Sequence, residues 1–242
     1  MNPDPYPEPA AEGGLVAALE QEAVGLGLDL TVLPHGGAPR TSALIPSAVP
    51  ERDPLGVHIM GSQNGLIHVA GGSQGISLVS GWAADLSDVV RAGAAWNRGA
   101  SLREIRAEAP FLSYDEHAEA HERGPAALVA HQWREMRRKA AGAPDFTAFA
   151  ALVEAAHAEP RLRQLYVFSS HWTLGFSSCT GFPFRVEIAI DPPIKGEPYR
   201  VMRRPLRAAL GEAATAEEAV ALAVSHLRAD IGPAVSGTAR QD

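Results

Sequence analysis

The chain has 242 residues, of which 46% are hydrophobic, a formal net charge of -7 and a single cysteine, Cys179. An acidic balance with no basic stripe excludes the electrostatic footprint of a nucleic-acid or anionic-membrane partner. One cysteine excludes an intrachain disulfide, and every apolar run is broken well short of the ~20 residues that span a bilayer. The opening run MNPDPYPEPAAEGG has neither the basic stretch nor the apolar core of a secretory signal. It reads as a disordered lead-in over 1–13, and the protein as cytoplasmic.

Leu15, Leu19, Val24 and Leu26 recur at near-helical spacing, which predicts a helix over 14–27. A short strand is expected over 28–33. A second, over 41–48, sits in a proline-rich stretch. Three clearer strands follow at 57–61, 66–71 and 76–81. Asn64-Gly65 supplies the positive φ angles of a tight hairpin between the first two, and residues 72–75 turn the next. The meander is closed by a helix over 86–96 that offers Leu86, Val89, Val90, Ala94 and Trp96 for burial.

The run GWAADLSDVVRA at 81–92 has a counterpart in GEAATAEEAVAL at 211–222. In each, a glycine ends an apolar run and a polar cap follows, with an acid three positions on: Asp85 with Asp88, and Thr215 with Glu218. The correspondence predicts two copies of a helix–sheet–helix unit. Between them, 101–142 reads as a helical connector. Ser101 with Glu104 and Ser113 with Glu116 are capping boxes, and Gly124-Pro125 ends one helix and opens the next.

The second copy opens near Asp145, where Phe146, Phe149, Ala150, Val153 and Ala156 make an apolar face. Strands are predicted over 165–178, 184–191 and 197–203. Trp172, Leu174 and Phe176 share one face, and Phe184, Val186, Ile188 and Ile190 another. A helix over 215–228 closes the unit, and 233–242 reads as a loose tail. The expected fold is α+β: pseudo-repeated helix–antiparallel sheet–helix units at 14–100 and 143–232, joined by the connector 101–142.

The runs GWAADLSDVVRAGAAW, APFLSYDEHAEAHERGP, LVEAAHAEPRLRQLYVFSSHWTLGFSSCTGFPF and LGEAATAEEAVALAV, taken together, resemble an actinobacterial family labelled only with natural-product biosynthesis. The resemblance covers most of 13–235. It implies genomic company with secondary-metabolite pathways, and it assigns no catalytic residues.

Two constellations carry candidate chemistry. In SYDEHAEAHERG, His117 and His121 stand one helical turn apart and share a face, with Asp115 beside them. Ala118 occupies the place of the glutamate of a zinc-protease helix and no third ligand is fixed, so acid–base work is expected there and no metal. In the second, His171, Thr173, Ser177 and Cys179 point away from the Trp172–Phe176 face. A hairpin turning near 179–182 would place His171 opposite residue 189 or 191, with Asp191 as its partner and Ser177 near Arg185. Tyr166 and Trp172 would wall a pocket there, and Arg185 would bind substrate.

Cys179 as a nucleophile paired with His171 is excluded, because a straight strand separates them by roughly 26 Å at ~3.3 Å per residue. The glycine-rich turns GSQNG and GGSQG lack the lysine of a phosphate loop. The basic run Arg134, Arg137, Arg138 and Lys139 complements a helix C-terminus, with an anion grip as its alternative. No cofactor is expected. The reading is a cofactor-free enzyme with His171, His117, His121, Asp115 and Asp191 as acid–base groups. Its substrate is a small or peptidic pathway intermediate, undergoing cyclisation, isomerisation or hydrolysis. The alternative is a binding, chaperone or immunity-like module of the same pathway.

Overall fold

The computed structural model describes residues 14–37, 40–60, 66–194, 196–203 and 208–240. The expected lead-in and the Asn64-Gly65 turn lie outside them. The chain is α+β and divides into two compact units, residues 1–122 and 123–242, each with its own antiparallel sheet. The division falls inside the stretch expected as a connector. No helix among the described residues is long and apolar enough to cross a membrane.

In the N-terminal unit, helix α1 (Gly14–Gly25) precedes strands β1 (Leu33–Pro34), β2 (Ser42–Ile45), β3 (Leu55–Ile59), β4 (Ile67–Ser73) and β5 (Ile76–Ala83). Helices α2 (Leu86–Asn97) and α3 (Leu102–Glu108), strand β6 (Leu112–Ser113) and helix α4 (Glu116–Glu122) follow. The six strands lie in chain order, each antiparallel to the next. Alternation decides the faces: Ile67, Val69 and Gly71 are buried, while His68 and Ala70 between them are half-exposed. The buried face lies against α2, whose Val89, Val90 and Trp96 are fully enclosed.

Gly71 is required there, because a Cβ on it would come within 2.6 Å of the Trp96 indole. The β4–β5 hairpin turns through Gln74 and Gly75 at φ 53° and 79°, the positive pair of a type I′ turn. Asp85 caps α2 by accepting from the Asp88 amide at 2.9 Å, as its spacing predicts. The box at Ser101 and Glu104 forms, but the one expected at Ser113 and Glu116 does not. Ser113 donates instead to the Ser80 carbonyl, and Asp115 caps α4 through the Ala118 amide.

In the C-terminal unit, helices α5 (Pro125–Ala141), α6 (Thr147–Ala158) and α7 (Pro160–Arg163) precede strands β7 (Tyr166–Ser170), β8 (Thr173–Ser177), β9 (Val186–Asp191), β10 (Tyr199–Arg203) and β11 (Ala208–Ala213). Helix α8 (Ala216–Ser225) closes the unit, capped by the reciprocal Thr215–Glu218 box. The five strands form an antiparallel meander. Leu174 opposes Ile190 and Phe176 opposes Ile188, and all four are fully buried beneath a helical layer that includes Phe149, Leu152 and Val153 of α6.

Three expectations are corrected in this unit. The strand expected over 165–178 is two strands, joined by a reversal at His171 and Trp172 with φ 48° and 72°. A run with strong alternation hides such a turn when its corner residues are not Gly or Asn. The expected polar outer face is in part aromatic. The Phe168 ring lies over Gly175, stacks on Phe184 at 4.7 Å, and Ser177 and Cys179 are buried. Lastly, the tail is docked: Thr180 donates to Val235, Gly181 to Gly237 and Ala239 to Pro183, while Ala234 donates to Gln164.

Candidate functional site

The sequence-based candidates separate between the units. In the N-terminal unit, α4 presents His117 and His121 on one face as its spacing predicts. Burial first, then the neighbouring His117 and the Arg52 guanidinium, hold His121 below the usual imidazole range. Arg52 lies under this helix over the Trp96 ring at 5.0 Å, donates to the Ala100 carbonyl at 2.7 Å and pairs with Glu122 at 3.3 Å. Glu122 also accepts from the Leu102 amide at 2.9 Å. Asp115 is committed to its cap. The carboxylates around this pair therefore tie elements together, and the cation nearest His121 opposes its protonation.

In the C-terminal unit, the positive-φ reversal throws His171 and Trp172 out of the strand and into a cavity of about 170 Å³. Thr173, Asp191, Glu197 and Arg200 line it with them. His171 and Asp191 both line this cavity, but the register does not set them opposite each other, and His171 lies against Ser170 instead. Leu174 opposes Ile190, so it is Thr173 whose hydroxyl donates to the Asp191 carboxylate. Trp172 is pinned from inside, edge-on to Phe149 at 5.1 Å and to Phe146 at 5.3 Å, with Lys139 over its ring at 4.9 Å.

Tyr166 lies apart, 4% exposed and tilted against Phe184, and burial pushes its hydroxyl up to about 12. The Arg185 amide donates to the Cys179 sulfur at 3.2 Å. The thiol is 1% exposed and fills a structural place behind the hairpin.

A larger cleft, about 610 Å³, lies in the same unit. One face of α5 forms its floor through Pro125, Ala126, Val129, Ala130 and Trp133, residues spaced by three and four so that they align. His157 from the end of α6, Arg163 from α7, Gln164, Pro233 and Ala234 complete it. The docked tail thus supplies one wall. Arg134 and Arg137 continue the same spacing, four residues after Ala130 and Trp133, and line the cleft as well.

Trp133 organises this cleft. Its indole N–H donates to the Arg163 carbonyl at 2.9 Å, and its ring meets the His157 ring at 5.2 Å and 63°. Burial first, then Arg137 and Arg163 against the opposing Glu154, hold His157 below the usual imidazole value. It is therefore a neutral donor–acceptor at pH 7. Arg137 is paired with Glu154 at 2.7 Å. Among the described residues, Arg134 and Arg163 make no side-chain ion pair.

An apolar trough of this volume, lined by two arginines without an ion-pair partner among the described residues and by a neutral imidazole, suits an organic anion with an apolar body. Sequence reasoning placed the α5 basic run as a helix-end complement with an anion grip as the alternative. It did not bring His157, Arg163 or Gln164 to this cleft. The only local signal for them was an i,i+3/i+4 face on α5 that is apolar yet ends in arginine.

No curated protein and no solved structure matches the chain. A family match lies in the C-terminal unit, and it spans the whole 170 Å³ cavity and all of the larger cleft except Pro125 and Ala126. Over residues 127–238 the chain is similar to a family of unknown function, DUF6193.

Proposed function

We propose that this protein acts on a small organic anion with an apolar body, bound in the 610 Å³ cleft of the C-terminal unit. His157 is its proton-transferring group. The observation that carries the reading is the pair Arg134 and Arg163, which line an apolar cleft and, among the described residues, make no ion pair with an anionic side chain. A carboxylate or phosphate would complete that pair, and the Val129–Trp133 floor would take the hydrocarbon or aromatic part.

His157, kept neutral beside these cations, can accept a proton from bound substrate and return it, which is the requirement for cofactor-free isomerisation, cyclisation or hydrolysis. This moves the acid–base role from His171, His117 and His121 to a histidine that faces a ligand-sized space. The resemblance to natural-product biosynthesis proteins supports a secondary-metabolite pathway as the source of the substrate.

The experiment has two arms. Aromatic and alkyl carboxylates are titrated into the protein beside their neutral methyl esters, by calorimetry. Tighter binding of the acids, lost in Arg163→Gln and Arg134→Gln, supports the site, and equal binding of acids and esters removes it. Pathway extracts are then incubated with wild type and His157→Gln. A conversion that disappears in the variant while anion binding stays supports catalysis. Binding without any conversion favours the non-catalytic carrier or chaperone reading.

A further inference from the structure

One face of the C-terminal sheet carries a polar row that crosses four strands. Arg200 of β10 opposes Asp191 of β9 and Glu212 of β11, and the Thr173 hydroxyl of β8 donates to the Asp191 carboxylate. The adjoining residues Leu174, Ile190 and Val201 are buried, so alternation puts the row on the opposite face. Thr173, Asp191 and Arg200 line the 170 Å³ cavity together with Glu197.

The charges in this row do not balance. Although Arg200 stands opposite Asp191, its guanidinium pairs with Glu197 at 2.9 Å and with Glu212 at 3.4 Å. Asp191 makes no ion pair among the described residues. Three carboxylates thus answer one guanidinium, and the cavity is left acidic at Asp191. The hydroxyl proton that Thr173 gives to Asp191 leaves only lone pairs on the Thr173 oxygen, and the second carboxylate oxygen is likewise an acceptor. Two acceptors therefore stand together in a pocket whose remaining walls, Trp172, Pro192, Ile194 and Pro198, are apolar.

We propose that this cavity binds a small primary ammonium ion with a short apolar body, its charge on Asp191 and Thr173 and its alkyl part against Trp172, Pro192 and Ile194.

The volume limits the ligand, because 170 Å³ is well under the roughly 300–1,000 Å³ that holds a drug-sized molecule. An ammonium group with several N–H donors matches paired acceptors as a neutral alcohol cannot. Lys139 lies over the Trp172 ring at 4.9 Å and donates to Ser169 at 2.6 Å. The indole is therefore a wall, and the ligand's charge belongs at the carboxylate. The backbone agrees: His171 and Trp172 are held at φ 48° and 72°, strain of the kind kept at ligand-binding positions. An Asn-Gly corner would turn the same hairpin without supplying an aromatic wall. The cavity and the 610 Å³ cleft share no lining residue, so this proposal stands or falls apart from the anion reading.

The full chain, labelled with nitrogen-15, is titrated with n-butylammonium chloride and separately with 1-butanol at pH 7.5 and constant ionic strength. The readout is the Trp172 indole N–H resonance, identified by its absence from the Trp172→Phe spectrum. A saturable shift with the amine is expected, with the alcohol at least tenfold weaker. Asp191→Asn keeps an acceptor for Thr173 in the same shape and should weaken amine affinity at least tenfold, and Thr173→Val should weaken it several-fold. The absence of a saturable shift with the amine, or an equal response to the alcohol, overturns the proposal on the wild-type protein alone. Unchanged amine affinity in folded Asp191→Asn overturns it as well.

Discussion

Trp133 and His157 meet edge to face in the C-terminal unit, with 5.2 Å between ring centroids, while the same indole holds the Arg163 carbonyl at 2.9 Å. One side chain thus sets the position of both groups that would orient and protonate a ligand. Trp133→Phe keeps most of the volume but leaves that carbonyl without its donor. A stability loss of about 1 kcal/mol is expected, with a larger proportional loss of carboxylate affinity because Arg163 is no longer fixed. Trp133→Ala should cost about 3–5 kcal/mol by opening a cavity. Urea unfolding and calorimetry separate the two effects, and unchanged carboxylate affinity in the folded Phe variant would count against the positioning role.

Acid should destabilise this protein through its histidines. His58, His121 and His157 are all held below the ordinary imidazole value, each with burial as the first cause. In the window between the folded and unfolded values, the unfolded chain binds more protons than the folded one. Stability is therefore complete above the unfolded value of about 6.5 and falls as pH drops through the window. The urea midpoint is expected to decline from pH 7.5 to 5.5, and the triple variant His58→Gln/His121→Gln/His157→Gln should decline less over that interval.

Gly71 lies where the Trp96 indole needs the room, with Leu55 also 2.9 Å from a would-be Cβ. Gly71→Ala forces either the buried ring or the strand to move. A loss of about 1–3 kcal/mol is expected from overpacking, measurable as a lower denaturant midpoint with an unchanged slope. A stability equal to wild type would show that the α2–sheet interface yields easily.

The reversal at His171 and Trp172 places two side-chain-bearing residues at positive φ. That conformation costs about 1–2 kcal/mol for an ordinary L-residue and less for Asn. His171→Asn should accordingly raise the melting temperature, because His171 is exposed and its side chain bonds the neighbouring Ser170 rather than a distant element among the described residues. Trp172→Asn should lower it, since the ring contacts with Phe146, Phe149 and Lys139 are lost. Thermal melts of the two variants give opposite signs if this balance is right.

Much of the fold is legible from local rules, for identifiable reasons. The caps at Asp85, Ser101 and Thr215 depend on side chains reaching amides three residues away, and all three form. The alternation of Leu174, Phe176, Ile188 and Ile190 likewise specifies a buried face without reference to distant chain. The β7–β8 reversal is not legible, because its His-Trp corner carries no Gly or Asn and its strain is offset by packing against α6 and the residue before it. The docking of 233–240 is equally silent, since its hydrogen bonds join backbone to backbone and leave no mark on composition.

Residue types and periods within this chain determine its α+β class, the caps of α2, α3 and α8 and the buried face carrying Leu174, Phe176, Ile188 and Ile190, because those depend on neighbours a few positions apart. Only the tertiary structure decides that Trp133, His157, Arg163 and Ala234 share one cleft, or that His58 and His68 stand side by side. Such convergence follows from how separate helices, strands and the tail pack, and the free energy of that packing is spread over the core rather than written at the residues it brings together.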